Sequence, residues 1–247
     1  MAREGLGFRF DPAYPVQAEM AKDLAADGYE PTTWQAIRSI LKAGDHAVDV
    51  GAHVGVLTCL MAACVGNSGR VDALEPDEYN RAKLAEHLAL NHFTQVCIHP
   101  EAVGEKDGRI TFYQCADNDG GHARWNPGLL ANNTASQKHP SAKAVPIAKL
   151  DTLLYDSPPV ALIKSDTEGA DFQVLQGAER IIDRDHPAII TEIHRFGMLQ
   201  HGFREEQLRR WLEAKRYTAT LLGNDGTRPL LPEEVVITDS VFNLLFQ

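Results

Sequence analysis

Residues 47–58, AVDVGAHVGVLT, carry the spacing most suggestive of chemistry. A β-branched run reaches Asp49, a turn punctuated by Gly51 and Gly55 follows, and an apolar helical start comes next. A strand that enters a glycine turn and then a helix offers free backbone N–H groups and a positive helix end to a ligand. That geometry reads as a nucleotide-type cofactor site, with Ala52 and His53 inside the turn as pocket wall. The glycines are spaced GxxxG, without the middle glycine that lets backbone approach a pyrophosphate, and no Gly-Lys-Ser/Thr follows. A ligand without phosphates therefore fits better. Glu75 lies 24 positions beyond Gly51, near the ~20-residue spacing at which an acidic residue meets ribose hydroxyls. Its two oxygens can accept from two vicinal hydroxyls. The bland alternatives are an ordinary strand–helix turn and a solvated glutamate ahead of Pro76.

Two later strand ends also carry titratable groups. The apolar run 160–164, VALIK, leads into Ser165-Asp166-Thr167-Glu168-Gly169, and the run 187–193 ends in Thr191-Glu192-Ile193-His194. Near-continuous apolar runs are the signature of strands buried on both faces. Asp49, Glu75, Asp166 and His194 all fall at carboxyl ends of strands, where ligands sit in open α/β sheets.

The elements that must position these groups alternate. Residues 16–27 suit a short helix, and Thr32 or Thr33 can cap a second one holding Trp34, Ile37, Ile40 and Leu41, stopped by Gly44. After the glycine turn the pattern predicts a helix to Gly66, a strand over 70–74, a helix over 77–90 and a strand over 95–99. The loop 101–104, with Ala102 and Val103, is expected over a cofactor base. A strand over 109–114 falls outside the nucleotide-binding repeat. Residues 144–154 read as a strand and a helical turn, and Phe172, Leu175, Ala178 and Ile182 as one helical stripe. A helix over 205–216 and strands over 217–222 and 241–246 complete a doubly wound, mainly parallel sheet. Residues 115–143 are rich in Gly, Asn, Ser and Pro yet hold His122, Arg124, Trp125, Leu129 and Leu130. A long unpatterned stretch inside a compact domain is usually functional or disordered. We read it as a substrate-covering lid with His122, Trp125 and Asn133 as acceptor contacts; the alternative is a surface loop pinned by one tryptophan.

The 247 residues suit one domain over residues 1–247, with a helical N-terminal segment over 1–44 and the lid over 115–143. Lys and Arg number 24 against 34 Asp and Glu, a net charge of −10, which lacks the electrostatic footprint of a general nucleic-acid or membrane-surface binder. Cys59, Cys64, Cys97 and Cys115 form no CxxC pair, and the first three read as small buried hydrophobes in a reduced, cytoplasmic protein. No segment has signal-peptide or spanning-helix character.

The ordered blocks VDVGAHVG, LEP, AVG with GRITFY, LDTLL, IKSDTEGADFQVLQGAERII and PAIITEIH resemble the FkbM-type methyltransferases, a group of S-adenosylmethionine-dependent enzymes. The likeness covers residues 29–194, about two thirds of the chain. It implies the class I methyltransferase (Rossmann-like) fold, with a seven-stranded sheet whose last strand is antiparallel. It implies S-adenosylmethionine as cofactor and methyl transfer to a hydroxyl of a small-molecule, sugar or glycolipid-type acceptor. Residue by residue, Asp49, Gly51 and Gly55 match the first cofactor motif, Glu75 the ribose-binding acid, and Ala102 and Val103 the adenine loop. Glu30 matches a position near the methionine part, and Asp166 and Glu168 match the carboxylates of the late motif. Ser165 stands where the family more often has an apolar residue.

A hydroxyl acceptor must lose a proton to a base within hydrogen-bond reach or one water away. Asp166, Glu168 and His194 are the candidates, with His194 able to act as the base. Alternatively Asp166, Glu192 and His194 hold a divalent ion that lowers the acceptor pKa, although no metal is required. In a third reading Glu168 caps the next helix and His194 bonds locally. N-methylation, a protein acceptor, and a non-catalytic cofactor-binding domain are the competing functions.

Overall fold

A computed structural model describes residues 30–113, 142–223, 226–236 and 240–247. The chain enters through α1 (Pro31–Ile40). This helix begins ahead of the threonines expected to cap it, because Pro31 takes the first helical position, where a missing N–H costs nothing. Glu30 then serves as the cap residue, with a left-handed backbone at φ 41°. β1 (His46–Val50) is buried throughout, and Ala47 and Val48 pack into different cores on its two faces. α2 (Val56–Val65), β2 (Arg70–Leu74), α3 (Glu78–Leu90) and β3 (Val96–His99) follow in the expected alternation. Asp77 caps α3 by accepting the Asn80 N–H at 2.9 Å, a contribution of about 1 kcal/mol.

Beyond β3 the repeat is interrupted by β4 (Ala102–Val103), β5 (Gly108–Tyr113) and β6 (Ala142–Ala148), which form a separate three-stranded sheet in the order β4-β6-β5. The strand expected outside the nucleotide-binding repeat is β5. β6 starts within the stretch read as a lid; the rest of that stretch lies outside the described residues, as do His122, Trp125, Asn133 and the helix expected over 16–27.

α4 (Leu150–Leu153) leads to β7 (Leu162–Ser165), α5 (Asp171–Gln176), α6 (Glu179–Asp185) and β8 (Ala188–His194). α5 and α6 replace the single helix expected from the apolar stripe. The break is tertiary in origin: the Asp151 carboxylate accepts the Arg180 and Ile181 N–H groups at 2.9 and 3.0 Å, starting a new helix. At the break, Gly177 sits so close to the Gly104 carbonyl that any Cβ would overlap it. α7 (Arg195–Gln200), α8 (Glu205–Ala214), β9 (Ala219–Gly223), β10 (Gly226–Pro229) and β11 (Val241–Phe246) complete the order.

The main sheet runs β10-β9-β11-β8-β7-β1-β2-β3. The pairs β1–β2, β2–β3, β1–β7 and β7–β8 are parallel, and β11 is antiparallel to both β8 and β9. Seven strands and the antiparallel last one are as expected. The eighth, β10, is an exposed edge strand. Strand order reverses between β1 and β7, so their carboxyl ends flank the crevice where such sheets bind ligands. One face packs Val48, Ile163, Phe172, Leu175, Ile181 and Ile193; the other packs Trp34, Ile37, Leu60, Met61, Leu162 and Ile190. Each large aliphatic or aromatic side chain so buried contributes roughly 1.5–3 kcal/mol. Cys59 is buried as expected, whereas Cys97 is exposed, because β3 is the outer strand. Among the described residues no helix is long and apolar enough to cross a membrane.

Candidate active site

The turn after β1 is built by close approach. Gly51 has φ 77°, and a Cβ there would overlap the Asp166 backbone carbonyl; the absence of a side chain lets the end of β1 touch the loop after β7. Gly51 and Ala52 both donate N–H groups to the Leu74 carbonyl, at 3.0 and 3.1 Å. Gly55, φ 90°, leads into α2 with no side-chain cap. A Cβ on Gly55 would overlap the Leu84 side chain of α3. His53 adopts φ 52° and donates its N–H to Glu75 Oε2 at 2.8 Å. Glu75 Oε1 accepts the Asp77 N–H, also at 2.8 Å. Two backbone donors thus fix the carboxylate while each oxygen keeps a second lone pair. Burial raises the Glu75 carboxyl to about 7 despite those bonds, and burial lowers the His53 imidazole.

Asp49 is 1% exposed. Its Oδ2 accepts from Thr58 Oγ1 at 2.6 Å, and its Oδ1, which has no hydrogen-bond partner among the described residues, lies 3.6 Å from Lys164 Nζ. Lys164 also stands 3.4 Å from Asp166 Oδ2 and 3.5 Å from the Gly51 carbonyl. A lysine in an apolar strand that runs into a carboxylate-rich turn was the visible signal for this residue, yet sequence reasoning left it without a role. Register pairs Asp49 with Lys164, Lys164 with Ile190, and Glu192 with Asn243. With period-two alternation, Asp49, Lys164, Glu192 and Asn243 share the face that carries α1. Above them Glu30 Oε2 accepts from Asn243 Nδ2 at 3.1 Å. Burial, then the Asp166 carboxylate, raises the Glu30 carboxyl.

The loop after β7 is organised by Asp171, another residue missed in the sequence. Its Oδ1 accepts from Ser165 Oγ at 2.5 Å and from the Thr167 N–H at 3.1 Å, and its Oδ2 from the Gly169 N–H at 3.2 Å. Ser165, the departure from the family pattern, therefore holds this loop. Glu168 takes a left-handed conformation, φ 57°, and Gly169 presses on Gly197 of α7, where neither position has room for a Cβ. His194 closes the site. Its Nδ1 accepts the Gly197 N–H at 2.8 Å, and its Nε2 lies 3.8 Å from Glu168 Oε2. Burial, then the Asp166 and Asp171 charges, raises the Glu168 carboxyl to about 7. Glu192, for the same reasons and with Glu168 beside it, rises to about 10.

Glu30, Asp49, Gly51, Ala52, His53, Gly55, Glu75, Asp166, Glu168 and His194 are thus interlocked around the carboxyl ends of β1, β2, β7 and β8. Ala102 and Val103 are buried and form the short strand β4, paired with β6. Among the described residues, the group of three ligand side chains gathered closely enough for an ion is Asp72, Cys97 and His99, and Asp166, Glu192 and His194 are not so gathered.

The description "Methyltransferase FkbM domain" matches residues 49–219. The chain belongs to the FkbM methyltransferase family. No curated protein matches it. Among solved structures, a methyltransferase FkbM from Methylobacillus flagellatus is 16% identical with a TM-score of 0.52, over 94% of this chain and 60% of that one. The chain therefore spans less than two thirds of that relative's length. A Clostridium thermocellum protein assigned as an rRNA methylase is 12% identical with a TM-score of 0.53, over 88% of this chain and 93% of that one. A protein assigned as a methyltransferase from Streptococcus mutans, in complex with SAH, is 11% identical with a TM-score of 0.50, over 87% and 94%. These likenesses show the class I methyltransferase fold for this FkbM chain. The residues fit S-adenosylmethionine as a cofactor. Among the described residues a buried Asp49 oxygen lacks a hydrogen-bond donor, each Glu75 oxygen keeps a lone pair beyond its backbone donor, and carboxylates surround the crevice.

Proposed function

We propose that this FkbM protein transfers a methyl group from S-adenosylmethionine to a hydroxyl of a small-molecule, sugar or glycolipid-type acceptor. The observation that carries the reading is the pair Glu168–His194, a carboxylate and an imidazole 3.8 Å apart at the strand ends beside the cofactor turn. S-adenosylmethionine, when bound, supplies an electrophilic methyl group. Glu75 would hold the ribose and Asp49 with Glu30 the cationic end. The residues of the β7 and β8 loops would align the acceptor for in-line displacement, the kind of positioning that contributes up to ~7–11 kcal/mol in intramolecular models. Net acidity, −10 for the whole chain, supports a small or neutral acceptor over a nucleic acid.

Calorimetry with S-adenosylmethionine, SAH and NAD tests the cofactor half. Binding of the first two and not of NAD is expected, and Glu75→Ala is expected to weaken binding about 10–100-fold, as loss of hydrogen bonds to a charged group implies. NAD binding without S-adenosylmethionine binding would sink the reading. Mass spectrometry of products from a panel of glycosylated and simple alcohol acceptors, with trideuteromethyl cofactor, tests the acceptor half. Label on nitrogen alone would replace the hydroxyl by an amine, and no transfer to any acceptor would favour a binding domain without catalysis.

A further inference from the structure

The contact between β8 and α7 decides which nitrogen of His194 carries hydrogen. A backbone amide can only donate, so the Gly197 N–H at 2.8 Å makes Nδ1 the acceptor. In the neutral ring the proton then sits on Nε2, the nitrogen that faces Glu168. This orientation is enforced by packing: Gly197 has no room for a Cβ beside the Glu168 carbonyl and the His194 ring, and Gly169 of the same loop is pressed against the Gly197 backbone. A neutral histidine whose outward nitrogen already bears hydrogen donates; it does not take a proton.

The 3.8 Å separation of Nε2 and Glu168 Oε2 is too long for a direct hydrogen bond. One oxygen bridges it. An oxygen at ordinary hydrogen-bond distance from both atoms subtends an angle of ~85° between them, about 25° narrower than the tetrahedral spread of a hydroxyl's O–H and lone pair, so each of the two bonds bends by only about 10–15°. Resting on the hydroxyl-transfer reading above, we infer that Glu168 is the base that takes the acceptor's proton and that His194 is the donor that orients the acceptor oxygen. The acceptor hydroxyl gives its O–H to Glu168 and receives the Nε2–H of His194 on one lone pair, leaving the other lone pair for attack. As the new O–CH3 bond forms, the C–S bond breaks with its electron pair going to sulfur. The proton moves to Glu168 and leaves to solvent after release of the ether and SAH. Asp166, Asp171 and Glu192 face Glu168 as carboxyl groups, with Lys164 and His194 as the opposing cation and donor. Burial and the Asp166 and Asp171 charges raise its proton affinity.

Long-range 1H–15N NMR on the full chain, histidine-labelled and saturated with SAH, tests the assignment without any acceptor. The His194 signals are identified by their loss in His194→Gln. An Nε2–H tautomer is expected; an Nδ1–H tautomer overturns the inference. The acceptor found in the product screen then separates the two roles. Glu168→Gln is expected to lower kcat by ~10²–10⁴-fold with SAH affinity within about twofold, and to abolish the rise of kcat through about pH 7. His194→Gln, which keeps an N–H donor, is expected to lose less. Wild-type rates in Glu168→Gln, or a larger loss in His194→Gln, overturn the inference. A wild-type product methylated only on nitrogen overturns the underlying reading and leaves the tautomer result standing.

Discussion

Replacing Gly51 by alanine is expected to cost about 2–6 kcal/mol of stability and to abolish measurable S-adenosylmethionine binding. Two costs add. The residue sits at φ 77°, where a side chain brings strain of about 1–3 kcal/mol. The new Cβ would also overlap the Asp166 carbonyl, and a backbone atom cannot rotate aside as a side chain can, so overpacking adds about 1–3 kcal/mol. Relief requires the end of β1 to move away from the loop after β7. That movement separates Asp49 from Lys164 and Asp166, the groups that line the crevice proposed above to hold the cofactor. Gly44→Ala is the control: its φ is 94°, but the nearest atom to an added Cβ is Ser68 Oγ at 3.8 Å. Strain without overlap should lower the urea midpoint modestly and leave calorimetric binding intact. Equal losses in both variants would show that the close approach of the two strand ends carries no weight.

How much of this was legible beforehand follows from where each determinant lies. β1, β2, β7, β8 and β11 were readable because strands buried on one or both faces must be apolar and β-branched over their own length. The GxxxG turn and Glu75 were readable because their roles are local to one strand–turn–helix unit. The misses are groups whose roles are set by partners far along the chain. The split between α5 and α6 depends on Asp151 reaching Arg180 and Ile181. β10, the segment GTRP, has no apolar alternation, being exposed on an edge, and is held by pairing with β9. The pairing of Ala102 and Val103 with β6 likewise depends on a strand more than forty positions further along the chain. His194 illustrates the limit most sharply. Its position at a strand end suggests catalysis, while its tautomer depends on a glycine three residues on, placed by the helix that begins between them.

Asp72 gives the second large effect, and it lies away from the cofactor crevice. Substitution by alanine is expected to destabilise the protein by ~3–5 kcal/mol, the range for stripping one partner from a buried ionic network. Asp72 is 0% exposed. Its Oδ2 meets His46 Nε2 and Arg70 Nε, each at 2.7 Å; its Oδ1 meets His99 Nε2 at 2.7 Å and an Arg70 terminal nitrogen at 2.8 Å. The other nitrogen of His46 faces the Pro158 carbonyl at 3.0 Å, so this buried ring is fixed between the Asp72 carboxylate and a backbone carbonyl. Burial alone would raise the Asp72 carboxyl; the bonds from His46, His99 and Arg70 outweigh it and hold the group far below the ordinary carboxylate range. A depressed folded-state value means the stabilisation is fully present above the unfolded value, 3.8, and is lost as pH falls below it. The gap in urea midpoint between wild type and Asp72→Ala should therefore be widest near neutrality and shrink below about pH 4. Arg70→Ala should cost far less, because its side chain is 42% exposed and solvent screens the pair. A gap that stayed constant down to acid pH would mean that Asp72 acts through packing volume and not through charge. Unchanged S-adenosylmethionine affinity in the folded variant would confirm that this network supports β1, β2 and β3 without entering the cofactor site.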